Sequence, residues 1–217
     1  MFKKIVNVKT KQRRRMSTNI QIVEKPDWVS WDDIHEVLVK AHAQNRANGI
    51  NMKKPSLPGE KIAKEIGEEG KLFVAMEDNK VVGTLALIKK EGNKWYNSGK
   101  YGYLCYGAVL PECSGKGVYR SLYQVAEATA KQAGLLVLTR DTNEKNARML
   151  KITKQEGYHY VDFRTCEDHF NIVRAKWLDK CPFPSWYIKT RYLFSRVFKK
   201  VRFKMDPQRG IIKRFGI

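Results

Sequence analysis

No stretch of about 18 apolar residues occurs anywhere in the chain, which argues against a membrane-spanning helix. The start is basic but has no apolar run behind it, so it does not read as a secretory signal. The four cysteines, Cys105, Cys113, Cys166 and Cys181, form no Cys-x-x-Cys pair. Disulfide frameworks belong to shorter secreted chains, so these read as reduced thiols in a cytoplasmic protein. The four histidines, His35, His42, His159 and His169, show no paired ligand spacing. Cys166 and His169 lie three apart without a second pair, so no metal site is expected.

Acidic residues are also scarce: 22 against 42 Lys and Arg, a net charge of +20. The excess sits at the ends. Residues 1–15 carry +7, residues 181–217 carry +9, and the body between them only +4. With 42% hydrophobic residues the body can bury a core of ordinary size. We therefore divide the chain into a basic extension (1–15), one domain (16–180) and a basic tail (181–217). Met16 follows the first basic run directly, which makes it an alternative start. Basic ends point to an anionic partner: nucleic acid, anionic lipid or a phosphorylated substrate.

Within the body, 19–24 reads as a short strand. Ser30 followed by Asp33 marks a helix start, with Ile34, Val37, Leu38 and Ala41 at helical spacing. Residues 60–66 form a short helix stopped by Gly67. Runs at 71–77 and 81–89 flank Asp78-Asn79, a hairpin signal. A strand at 101–110 ends at Pro111, a helix runs over 117–132, and 135–139 reads as a strand buried on both faces. A helix at 146–155 stops at Gly157, and 158–163 and 170–177 are the last strands. The order implies an α/β (α+β) domain.

Between the strand ending at Pro111 and the following helix lies Gly115-Lys116-Gly117. Glycines permit positive φ and close backbone approach. The first N–H groups of a helix have no intrahelical partner, and the helix dipole adds positive charge there. A pyrophosphate suits both features. A plain strand–helix loop has the same composition. The motif lacks the third glycine and later acid of a dinucleotide site, and the Gly-Lys-Ser/Thr of a P-loop.

The order of these pieces resembles the GNAT family of acetyl-CoA-dependent acyltransferases. Val109-Leu110-Pro111 followed by Glu112-Cys113-Ser114-Gly115-Lys116-Gly117-Val118 is similar to the family's strand, basic glycine turn and helix. The hairpin LFVAMEDNKVVGTLAL and the segment NARMLKITKQEGY are similar to its second and third strands and its cofactor-side helix. The resemblance covers roughly residues 20–163. It implies a mixed, mostly antiparallel central sheet flanked by helices, with the tail as a basic helical extension. It implies acetyl-CoA as co-substrate, held by Val109, Ser114, Gly115, Lys116, Gly117, Val118, Tyr119 and Asn146. Two positions depart from the pattern: Ser114 stands where Gln or Arg usually opens the turn, and Tyr119 where a small residue usually closes it.

Acyl transfer to an amine needs a polarised carbonyl, a deprotonated amine and a proton for the leaving sulfur. By the resemblance, backbone N–H groups around Tyr106–Val109 face the cofactor where the strand splays from 135–139. The family's usual acid is a tyrosine at the position that Thr153 occupies here, and threonine is no useful acid near pH 7. Tyr106 and Tyr119 are the nearest substitutes; protonation by solvent and an inactive domain are the alternatives. Glu77 and Glu112 are the carboxylates near the turn, and a water chain is the other base. Asn143 and Asn146 either cap the next helix or bond the pantetheine arm.

Residues 186–204 read as a basic amphipathic helix. Trp186, Leu193, Phe194, Val197, Phe198 and Val201 lie on one side, Lys189, Arg191, Arg196, Lys199, Lys200 and Arg202 on the other, and Ile188, Tyr192 and Phe203 break the pattern. Such a helix either packs on the domain with a solvated basic face, lies at an anionic membrane surface, or binds nucleic acid through interleaved aromatics. Three functions follow: an N-acyltransferase acting on a small amine such as an amino sugar or another anionic molecule, a transferase acting on protein or RNA amines, or a non-catalytic module of this fold that binds anionic lipid or nucleic acid.

Overall fold

The computed structural model describes residues 20–50, 56–166 and 169–205. The basic extension at 1–15, Met16 and the last residues of the tail lie outside them. The chain folds into a seven-stranded sheet of order β1-β2-β3-β4-β5-β7-β6. Its strands are β1 (Gln21–Glu24), β2 (Lys71–Glu77), β3 (Lys80–Lys94), β4 (Asn97–Val109), β5 (Val137–Asn143), β6 (His159–Thr165) and β7 (Phe170–Trp177). The helices are α1 (Trp31–Ala41), α2 (Ala43–Ala47), α3 (Gly59–Ile66), α4 (Val118–Gln132), α5 (Ala147–Gln155) and α6 (Ser185–Met205). All strand pairs are antiparallel except β4 with β5. The mixed, mostly antiparallel sheet flanked by helices is the expected fold.

Local chemistry sets the elements. Ser30 and Asp33 form a reciprocal capping box at the start of α1. Asp78 and Asn79 take φ of 50° and 60°, the left-handed pair that a tight β2–β3 hairpin requires. Alternation along β2, β3 and β4 splits the core in two. Phe73, Ala75, Leu85, Leu87 and Leu104 pack under α4, against Val118, Leu122 and Ala126. Leu72, Val74, Met76, Ala86, Ile88 and Cys105 pack under α1 and α3, against Ile34, Leu38 and Ile62.

Three strands run further than the sequence suggests. β3 and β4 continue as a polar hairpin out to Lys94 and Asn97. β5 extends past Thr139 to Asn143, paired with β7 throughout.

Helix α6 lies along β6, the sheet's edge strand, and blocks it from pairing with another chain. The residues that interrupt its apolar period are the ones that dock. Ile188 and Tyr192 are buried, and Phe203 stacks edge-on against Phe170. Ser195 Oγ and Lys199 Nζ both donate to Asp162 Oδ1, at 2.5 and 2.7 Å. Lys200 pairs with Glu144 at 3.1 Å. The large apolar side chains of α6 point to solvent, so it is not a helix that buries its hydrophobic stripe. Among the described residues no helix is long and apolar enough to cross a membrane.

Candidate active site

The parallel pair β4–β5 is registered at only two positions, Gly102 with Leu138 and Tyr103 with Thr139. Beyond them β4 continues to Val109 and β5 to Asn143 without pairing to each other. The strands diverge, and the β5-facing edge of β4 from Leu104 to Val109 has no strand partner. This is the splay expected between these strands.

A bulge sits within that stretch. Ala86 pairs with Cys105 but Thr84 with Ala108, so Tyr106 and Gly107 together oppose Leu85. Tyr106 has φ of +53°, a conformation a bulky residue adopts only when its surroundings enforce it. Buried Thr84 supplies that restraint: its Oγ1 donates to the Tyr106 carbonyl at 2.7 Å. The Tyr106 side chain turns toward α3, where its hydroxyl donates to Glu65 Oε2 at 2.5 Å. Burial and the Glu65 carboxylate both push its pKa well above the ordinary phenol value.

Two hydrogen bonds span the divergence, one on each face of the sheet. On the α4 face, Arg140 of β5 donates from Nη1 to the Tyr119 hydroxyl at 2.5 Å. The Tyr119 ring lies on Gly107, where an added Cβ would come within 3.2 Å of it. A glycine is what lets the ring approach the strand so closely. On the opposite face the Tyr103 hydroxyl donates to Asp141. Asn171 also donates to that carboxylate at 3.2 Å, and Arg164 lies 3.9 Å away.

Behind Arg140 lies a second buried guanidinium. Arg174 of β7 is its register partner and donates to the Met149 carbonyl and to Thr142 Oγ1. Burial, with Arg140 alongside, pulls Arg174 down to about 10. The Nε of each arginine has no protein hydrogen-bond partner among the described residues, so unsatisfied donors stand beside the cleft.

After β4, Pro111–Cys113 make one 3₁₀ turn and Ser114–Gly117 lead into α4. Gly117 is the N-cap, left-handed at φ of 86°, and no side chain caps the helix. A Cβ at Gly115 or Gly117 would meet nothing within 4 Å. These glycines are needed for conformation, and the space above them is open. The first N–H groups of α4 therefore face an open cradle. Val118 anchors the helix start in the core.

Cationic groups ring that cradle. Lys116 lies 3.8 Å from Glu77, and Arg120 donates to Glu156 at 3.1 Å. Arg148, on α5, donates to the Ser114 hydroxyl. Ser114 replaces a longer polar residue of the resembled motif, and a guanidinium now reaches the same place from a different helix. Its only sequence signal is its position two residues after Asn146.

The remaining candidates occupy defined places. Asn146 caps α5, its Oδ1 accepting from the Met149 N–H at 3.0 Å, and Asn143 Oδ1 accepts from the Lys145 N–H at 2.9 Å. Thr153 is buried, and its hydroxyl donates back to the Met149 and Leu150 carbonyls at 2.9 and 3.2 Å. Glu77 accepts from the Cys113 thiol at 3.6 Å. Val109 lies where β4 ends, partly buried against the α4 core. Sequence reasoning passed over His42, which follows α1. It is buried, and Asn45 Nδ2 lies 3.1 Å from its Nδ1. Burial holds its pKa below the ordinary histidine value, with a hydrogen bond to the Gly107 backbone opposing. It therefore sits against the same bulge as Tyr106.

The acetyltransferase (GNAT) family model matches residues 31–155, more than half of the chain. The protein belongs to the GNAT family. Comparison with curated protein sequences gives no match. Among solved structures, an acetyltransferase of the GNAT family from Staphylococcus aureus superposes with a TM-score of 0.58 at 15% identity, covering 74% of this chain and 99% of that one. A GNAT family acetyltransferase from Elizabethkingia anophelis with acetyl-CoA bound gives 0.53 at 15% identity over 74% and 99% of the two chains. The PaiA N-acetyltransferase from Thermoplasma acidophilum, in complex with coenzyme A, gives 0.55 at 17% identity over 73% and 99%. At these identities the GNAT neighbours speak for the fold.

Proposed function

We propose that this GNAT protein transfers an acetyl group from acetyl-CoA to the amine of a small acceptor. The observation that carries the reading is the opening of β4 from β5 directly beside an uncapped, glycine-cradled helix N-terminus. One end of this cleft suits a pyrophosphate, and its wall is a stretch of β4 that β5 does not pair, placed to receive an amide-bearing arm.

The residues fit such a co-substrate. Backbone N–H groups of Gly115, Gly117, Val118 and Tyr119, with Lys116, Arg120 and Arg148 around them, hold the phosphates, while those of Ser114 and Lys116 close the turn. The stretch of β4 from Leu104 to Val109 that β5 does not pair lies along the pantetheine arm and polarises the thioester carbonyl. Asn146 keeps its amide donors for the same arm, since its cap uses only the oxygen. Tyr119 and Arg140 set the width of the cleft on the α4 face.

The arm crosses the sheet, so the acceptor approaches from the face that carries α1, α3, Tyr106 and His42. In the overall exchange the acyl carbon leaves sulfur for nitrogen. The ammonium form of the acceptor gives up two protons, one of which ends on the thiol. Thr153 is a poor donor because its hydroxyl is bonded within its own helix. We assign donation to the Tyr106 phenol, which lies on the acceptor's face and leaves its bond to Glu65 to reach the sulfur. Neutral His42 is the proton acceptor. Basic groups around the site favour an acceptor with an anionic part, such as a nucleotide-linked amino sugar.

The test is amine-dependent thiol release. The purified chain is incubated with acetyl-CoA and a panel of amino sugars, nucleotide-linked amino sugars, polyamines and peptides. Turnover with a small amine, reduced at least about tenfold in kcat by Tyr106→Phe without loss of acetyl-CoA affinity, supports the reading. Turnover confined to peptides would contradict it.

A further inference from the structure

We propose that α6 is an interfacial anchor that holds this protein on an anionic lipid bilayer, its outer face in the headgroup region. The inference is independent of the catalytic reading, because it uses none of the cleft residues.

The helix carries two faces set by its docking. At about 100° per residue, Ile188, Tyr192, Ser195, Lys199 and Phe203 share one side, and these make the contacts to Asp162, Phe170 and the core described above. Trp186, Leu193, Phe194, Val197, Phe198 and Val201 fall on the opposite side within roughly 140° of arc. All six are exposed, Phe194 at 72% and Trp186 at 68%. From Trp186 to Val201 the stripe runs about 22 Å along the helix axis. Soluble domains seldom leave so large an apolar face in water without a use for it.

Charge decides what covers it. Lys189 and Arg196 flank the stripe on one side and Arg202 on the other, Lys200 and Arg191 lie beside them but are held by Glu144 and the Trp95 ring, and 185–205 contains no acid. A groove lined by Leu193, Arg196, Val197, Lys200 and Val201 shows this pattern at close range, with an apolar floor and a cationic rim. A second copy of the same face would bring these cations against one another. Nucleic acid could stack bases on Trp186, Phe194 and Phe198, but Leu193, Val197 and Val201 between them offer no ring, and a continuous apolar stripe would face its phosphates. A bilayer with anionic headgroups matches both features at once: acyl chains meet the stripe and headgroups meet the flanking cations. Docking to β6 holds the helix in register, so the stripe is presented already folded.

The full chain is sedimented with vesicles of phosphatidylcholine alone and of phosphatidylcholine with phosphatidylglycerol. Binding to the anionic vesicles, weakened by salt, is expected. The double variant Phe194→Ser with Phe198→Ser is expected to lose at least about tenfold in vesicle affinity, while its helical circular dichroism stays unchanged. The pair Lys189→Glu with Arg196→Glu, with both aromatics intact, is expected to lose the preference for anionic lipid. Equal binding to both vesicles, binding unaffected by the Phe pair, a dimer that the Phe pair abolishes without any vesicle binding, or retention on RNA but not on vesicles would each overturn the proposal.

Discussion

The Tyr119–Arg140 bridge is open to a quantitative test through Tyr119→Phe. The substitution keeps the ring on Gly107 and removes one oxygen. Arg140 is only 7% exposed, so water does not replace that oxygen. Among the described residues its Nη2 keeps only the Met149 sulfur, at 3.5 Å, and its Nε already has no protein partner. Taking the acceptor from a buried charged donor costs about 1.5–3 kcal/mol. For a chain of this size, with about 2–4 °C per kcal/mol, Tm should fall by about 3–12 °C. Thermal unfolding of the ligand-free protein reads this directly. The double variant with Arg140→Met should recover part of the loss, because it removes the stranded charge along with the missing partner. A Tm within about 1 °C of the parent for Tyr119→Phe would refute the reasoning. It would mean that the hydroxyl does not satisfy Arg140.

Three further outcomes are expected. Gly117→Ala places a side chain at φ of 86° and should cost about 1–2 kcal/mol in denaturant unfolding, with weaker coenzyme A binding; its Cβ meets no atom within 4 Å, so strain and not a clash is responsible. Arg148→Gln should lower coenzyme A affinity several-fold in calorimetry and reduce its salt dependence, with little effect on Tm, because Arg148 is exposed at the cradle. His42 has a depressed pKa in the folded state, so its contribution to stability is fully present above the unfolded value of about 6.5 and is lost as pH falls through the folded value. His159 acts in the same direction; the measurement is therefore the difference between the parent and His42→Gln across that window, with the variant showing the shallower decline.

Much of the fold was legible because local and global signals agreed. The Ser30–Asp33 box, the Asp78-Asn79 hairpin and the apolar face of α4 each follow a backbone rule that tertiary structure did not override. The strand at β5 was cut short because Arg140–Asn143 looks polar enough for a loop. Arg140, Asp141 and Thr142 are buried or half-buried and bond partners distant in sequence, Tyr119, Tyr103 and Arg174, which periodicity does not reveal. The polar ends of β3 and β4 were missed for a related reason: they pair with each other, and only their Trp95-Tyr96 tip packs on a core cluster, with residues distant in sequence such as Val137, Val173 and Ile188. In α6, Ile188, Tyr192 and Phe203 looked like faults in an amphipathic pattern, yet these are the docking residues, and the regular stripe faces outward. Arg148 escaped because its helix was read for Asn146 and Thr153 alone, and His42 because it reaches the site from the end of α1, whose pattern says nothing of the cleft.

The central claim is that the β4–β5 cleft and its glycine cradle bind acetyl-CoA. Calorimetric titration of the full chain with acetyl-CoA tests it most directly. One molecule per chain with micromolar affinity, weakened by Gly117→Ala and by Arg148→Gln, is the predicted result. No heat of binding at millimolar acetyl-CoA, or binding that neither substitution alters, would contradict it.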